Sequence, residues 1–498
     1  MLSRLFELDL SHNLLSELDL SHFDNLHTLN CSDNKLCKLI LPTNLVNLNC
    51  ANNLLTTLDL PLNIESIECS YNLLTSLNVS KLSKLQDLLC DGNKITELDV
   101  THNTHLHNLS CIGNGLITLD VSKCKLHSLN CSYNQIANLS VHEPTLKYLM
   151  CKENKLTTLH LNAPHLLKLN CATNKLRELK LHTPKLITLN CSYNLLTSLD
   201  VHNMDKLVSL WCSENRLLDL YLGNISSLKN LVCQNNKLVE LIIDNHAHLQ
   251  IIDCSFNKLV SLTIKNSPNV QMISCNDNCL QELSYVGNEL ALLYCHFNKL
   301  SILNLQTPNL QILDCFHNQL SILHLNKYKK LYNLNCAHNK LTTLRIQKLF
   351  HLEKLYINDN KLTSLPVSNL QLSLLSELCM QNNCFTTDSI QDILIANIDE
   401  EIVHPFAIIV RNYQVDIPIE ENIEKSTLSP LTKQIMLAYL QDSSLLSPLY
   451  ITFREFLQYI FPIYKKHKLQ IQLEEIILSS DFSSDKVNKL LLPLIDLV

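Results

Sequence analysis

The sequence predicts a β-rich solenoid of stacked parallel strands followed by a small all-α C-terminal domain. Three observations predict it. An asparagine-centred spacing of 19 to 23 residues links nineteen repeats, cysteine fills one position in sixteen consecutive repeats, and the spacing stops after Phe385, where apolar residues take up a helical period. Self-similarity at this period is the signature of a quasi-one-dimensional array. The solenoid therefore spans 1–386 and the helical domain 387–498.

The repeat emerges when Leu-Asn-Cys-Ser-Asp-Asn-Lys-Leu (29–36), Leu-Asn-Cys-Ser-Tyr-Asn-Gln-Ile (129–136) and Leu-Asn-Cys-Ala-His-Asn-Lys-Leu (334–341) are aligned. The shared frame is L-x-x-L-x-C-x-x-N-x-L-x-x-L-x-L, with asparagines from Asn13 to Asn383. In L-x-x-L-x-C the last three positions alternate, so the second Leu and the Cys face inward from a short strand. Stacking sets each strand parallel to its neighbours and joins the inward residues into one core. The asparagine lies where the chain leaves the strand, where its amide can bond backbone groups of its own turn and of the adjacent repeat. The second half of the frame returns the chain on the opposite side. A repeat of 19 to 23 residues leaves no room for a full helix there, so extended or 3₁₀ segments are expected.

This frame resembles that of the leucine-rich-repeat family over about residues 2–386. The resemblance implies parallel strands lining a concave face, the face on which solenoids bind their partners.

Of 21 cysteines, sixteen form a ladder from Cys31 to Cys336, and Leu10, Ile357 and Met380 take the same position in the remaining repeats. That exchange marks a site for a small-to-medium apolar group, which is how buried free cysteine behaves. Neighbouring Cβ atoms at about 4.8 Å stand farther apart than the disulfide mean of about 3.8 Å, and the odd total also favours reduced thiols. Cys275-Asn276-Asp277-Asn278-Cys279 has the wrong partner set for structural zinc, so neither metal nor cofactor is expected. The 21 histidines are expected in exposed positions and loops, none beside an acid and a nucleophile at a catalytic spacing.

The net charge of −7 is confined to the C-terminal part: Thr387 to Val498 hold 16 acidic and 9 basic residues, and the remainder holds 31 of each. Neither part has the basic excess of a nucleic-acid binder. Only five glycines occur, so neither many left-handed turns nor a glycine-rich phosphate cradle is expected. No apolar stretch is long enough for a transmembrane helix. Met1-Leu2-Ser3-Arg4-Leu5 runs straight into a repeat, so no secretory leader is expected. With no capping element, the first strand should expose an edge and part of its core, a surface for self-association.

Candidate binding residues are those three before, one before and one after the ladder cysteine, which point outward. In repeats two to seven they are mostly small and polar, such as Asn30, Ser32 and Ser70. Farther on, the first column reads Ile251, Met272, Leu292, Ile312 over four adjacent repeats. The second supplies Met150, Trp211, Val232, Tyr294 and Tyr356, and the third His296 and Phe316, with Tyr148 joining Met150 on a neighbouring strand. Contiguous aromatic, Met and Ile side chains are what interface cores are enriched in, so a protein partner is expected here. The alternatives are coverage by the chain's own C-terminal domain, or a stripe with no role.

After Phe385, Ile390, Ile393, Leu394 and Ile398 take helical spacing, and Ser429-Pro430 and Ser447-Pro448 pair a capping hydroxyl with a proline. Some bacterial repeat proteins join such a solenoid to a helical ubiquitin-ligase domain with a Cys-x-Asp nucleophile. Here Thr386 stands two residues beyond Cys384 and no cysteine follows, so enzyme activity is not expected. The cysteine-bearing short repeat and helical tail are similar to effectors that intracellular bacteria deliver by Dot/Icm-type type IV secretion. That resemblance implies virulence through a host protein, with the chain made in the bacterial cytoplasm and then secreted into the host cell. Glu474-Glu475, Ser479-Ser480 and Leu490 to Val498 fit the expected export tail. A cell-surface adhesin is the alternative, since similar repeats occur there with a signal peptide and sorting domain.

Overall fold

A computed structural model describes residues 5–141, 144–365, 375–386 and Ser389. Apart from Ser389, the helical domain expected over 387–498 lies outside the described residues.

Nineteen three-residue strands, one per repeat from Glu7–Asp9 to Glu377–Cys379, form a single parallel sheet in which spatial order follows chain order. Leucine stands on leucine along it, as in Leu189 on Leu210 and Leu293 on Leu313. The sheet continues past each strand: the Cys191 amide donates to the Trp211 carbonyl at 2.9 Å. Inward columns from both halves of the frame, represented in one repeat by Leu186, Leu189, Cys191, Leu196, Leu199 and Val201, merge into one core. Each buried leucine stabilises the stack by about 1.5–3 kcal/mol.

The asparagine ladder forms as the sequence predicts. Asn194 Nδ2 donates to the carbonyls of Cys171 and Cys191, each at 3.0 Å, and Oδ1 accepts the Leu176 amide at 2.9 Å. The same set closes the ladder at Asn34 and Asn383. One buried amide thereby satisfies backbone groups in two repeats. The sixteen ladder cysteines are buried and free, and burial pushes the Cys131 and Cys191 thiols up to about 12.

The expectation of few left-handed turns is overturned. In all nineteen repeats the residue before the asparagine has positive φ, and only Gly92 and Gly113 are glycine there. The other seventeen include Tyr71, Thr173, Phe256, Phe297 and His338, with φ between 49° and 58° among them. Ladder hydrogen bonds on both sides of the turn outweigh the roughly 1–2 kcal/mol that a side chain costs there.

The return side is extended, with four two-stranded parallel pairs such as Glu240–Asp244 with Ser261–Lys265. The expected 3₁₀ alternative does not form among the described residues. Isolated i→i+3 bonds replace it, as from Leu186 N to Thr183 O at 3.0 Å, because each corner is a single turn. Histidines are not all exposed either. His246 is buried at such a corner, where Nδ1 lies 2.9 Å from the Ile225 carbonyl. In the first repeat Leu8 and Leu10 are only half-buried, as expected for the end of the stack.

Candidate functional site

The strand register determines which predicted residues meet. Ile251 pairs with Met272, Met272 with Leu292, and Leu292 with Ile312, giving one unbroken aliphatic row bounded by Asn230 and Asn333. In the adjoining row Trp211 pairs with Val232, Val232 with Asp253, Ser274 with Tyr294, and Tyr294 with Asp314. Phe316 follows Asp314 at the strand exit. Its backbone amide donates to Asp314 Oδ1 at 3.2 Å, which holds the turn.

Three predicted residues stand apart. Tyr148 and Met150 occupy one strand, Tyr148–Met150, rather than neighbouring ones. Strands Lys168–Asn170 and Thr188–Asn190 separate them from Trp211. Tyr356 lies beyond Asn335, and its hydroxyl donates to Glu377. Burial and then that bond hold its phenol far above the ordinary pKa. It is therefore engaged within the chain, at the last strand pair.

The row is only partly open. Ile251, at 36%, is its most exposed member, and Met272, Leu292 and Ile312 are half-buried. Strands about 4.8 Å apart press outward side chains against one another, so the row presents a smooth surface. Burial, with smaller effects from Tyr332 and Asp314, raises the Tyr294 pKa.

A fourth row flanks this surface, formed by the positive-φ residues. Phe297 meets Phe316 edge-on at 5.0 Å, Phe316 meets His338 at 5.0 Å, and His317 stacks with His338 at 5.9 Å. His296 reaches Asp314 at 3.4 Å and Asp277 at 4.0 Å, and His338 lies 3.1 Å from Asp359. Burial lowers the His338 pKa even though Asp359 opposes the shift. Sequence reasoning missed this row because the position beside the asparagine was treated as turn. Phe297, His317 and His338 at that one position in three consecutive repeats were the available signal.

No group of three or more His, Cys, Asp or Glu among the described residues could hold a metal. No helix among them is long and apolar enough to cross a membrane. The arrangement is one of contact chemistry: an aliphatic row, aromatic edges and two strand carboxylates, Asp253 and Asp314.

No protein-family model and no curated protein matches the sequence. Solved structures do. YopM from Yersinia enterocolitica is 28% identical, with a TM-score of 0.62 over 76% of this chain and 87% of that one. The fold is a leucine-rich-repeat β-solenoid. The Arabidopsis receptor kinase HAESA, solved with the peptide hormone IDA and the co-receptor SERK1, is 21% identical over 76% of this chain and 78% of that chain, at a TM-score of 0.50. A TDR receptor structure is 16% identical over 77% of this chain and 81% of that chain, at 0.51. These last two likenesses concern the leucine-rich-repeat fold alone.

Proposed function

We propose that this leucine-rich-repeat chain is a non-catalytic scaffold that binds another protein through its strand face. One observation carries the reading: the unbroken row Ile251, Met272, Leu292, Ile312 across four register-paired strands, with Trp211, Val232, Tyr294 and Phe316 beside it. Contiguous outward apolar residues of this kind are the chemistry of an interface core. We further propose that the partner is a host protein and the chain a bacterial effector delivered by type IV secretion. The likeness to YopM, a leucine-rich effector protein of Yersinia, supports an effector role. The sequence of the tail supports the route.

Affinity capture from host-cell lysate tests this reading, with the full chain beside a Leu292→Asp/Ile312→Asp variant. Recovery of one protein by the native chain and its loss with the variant is expected. Equal recovery by both would overturn the site, and chemical turnover of the captured protein would replace a scaffold with an enzyme.

A further inference from the structure

We propose that a second copy of this chain docks on the return side of the solenoid, across the repeats of Asn215, Asn236 and Asn257. The position three after the repeat asparagine points outward and is serine or threonine in many repeats, as in Thr75, Thr96, Thr157, Thr197 and Ser301. In these three consecutive repeats it is Leu218, Val239 and Val260. The position six after is aspartate at Asp99, Asp120 and Asp200, but here it is Tyr221 and Ile242. These five side chains are between 49% and 75% exposed, while Leu217, Leu220, Leu238 and Leu241 between them are buried.

The five form one patch. Lys237 N donates to Leu217 O and Val260 N to Val239 O, each at 2.9 Å, so stacking sets Leu218, Val239 and Val260 in one row, with Tyr221 and Ile242 three residues on from the first two. Nothing in the frame requires apolar groups at positions that hydroxyl and carboxylate residues fill elsewhere. Their coincidence over adjacent repeats therefore marks a contact surface.

Charge order identifies the occupant. Arg216, Lys237 and Lys258 run along one side of the Leu218–Val239–Val260 row, and Asp219 and Glu240 along the other. None of these five makes an ion pair among the described residues. A two-fold axis parallel to the rows sets the cationic row of one copy against the acidic row of its partner. The apolar row then faces its own equivalent. An isologous contact demands this self-complementarity, and charge pairs at its rim fix orientation more than affinity. The surface lies opposite the strand face, so this inference does not depend on the proposed function.

Sedimentation velocity of the full chain across the micromolar range tests it. A species of twice the 56.9 kDa chain mass is expected. Val239→Glu/Ile242→Glu should return it to a monomer with unchanged thermal unfolding. Lys237→Glu should weaken association by about tenfold, and adding Glu240→Lys should recover it, because these residues meet across the axis. The Leu292→Asp/Ile312→Asp variant should still dimerise. A chain monomeric throughout, a dimer indifferent to Val239→Glu/Ile242→Glu, or no recovery by the double reversal would overturn the proposal. So would a monomer that binds a different protein at this patch.

Discussion

Leu292 and Leu293 are consecutive in the chain and stand on opposite faces of one strand: Leu293 is wholly buried, whereas Leu292 pairs with Met272 and Ile312 on the open face. A single-residue step thus separates a core residue from a candidate contact residue. Leu292→Asp/Ile312→Asp is expected to destabilise the solenoid by less than about 1 kcal/mol while removing partner binding. Leu293→Asp should cost more than about 4 kcal/mol, because it buries an unpaired carboxylate. Urea unfolding beside affinity capture checks the contrast. Equal destabilisation by both would mean that the row belongs to the protein's own packing.

The asparagine ladder predicts a cost that spreads beyond one repeat. Asn194→Ala removes one of two side-chain donors from each of the Cys171 and Cys191 carbonyls, which keep Asn174 and Asn215, and leaves the Leu176 amide without its acceptor. A loss of about 2–3 kcal/mol is expected, with faster hydrogen exchange at the Leu176 amide. Exchange unchanged at Leu176 would contradict the inter-repeat role.

Thiol chemistry should divide the cysteines by position. Exposed Cys37 and Cys384 are expected to alkylate readily, while buried Cys131 and Cys191 stay protected and the fold survives strong reductant. Mass spectrometry after limited alkylation reads the pattern. Cys191→Ser should cost about 1–3 kcal/mol by placing a hydroxyl in an apolar stack.

Alkaline pH should unfold the chain through the same residues. The Cys191 thiol rises from an ordinary 9.0 to about 12 on burial, so the native state favours its protonated form. Its contribution is complete below about pH 9 and is lost as pH climbs towards 12. Urea midpoints measured from pH 8 upward should fall over that window. Flat midpoints would contradict the burial of the ladder thiols.

The left-handed turns offer a stabilising change. Thr173 is β-branched at φ 54° and immediately precedes the ladder residue Asn174. Thr173→Asn should raise stability by about 1 kcal/mol, because asparagine tolerates this conformation far better. A urea midpoint that fails to rise would show that Thr173 is held there without strain.

By itself the sequence determined the repeat, the inward columns, the cysteine and asparagine ladders and the outward columns. Each depends on alternation and spacing within some 20 residues, and strand periodicity carries that directly from Leu189, Cys191 and Asn194 to their places in the core. Only the tertiary structure decided which outward residues meet. Register joined Ile251 through Ile312 into one row and left Tyr148, Met150 and Tyr356 outside it, because contact depends on which strand lies next. It also placed Phe297, His317 and His338 in left-handed turns that composition alone argued against. A turn's φ answers to the hydrogen bonds of two stacked repeats, and those exist only once the repeats have stacked.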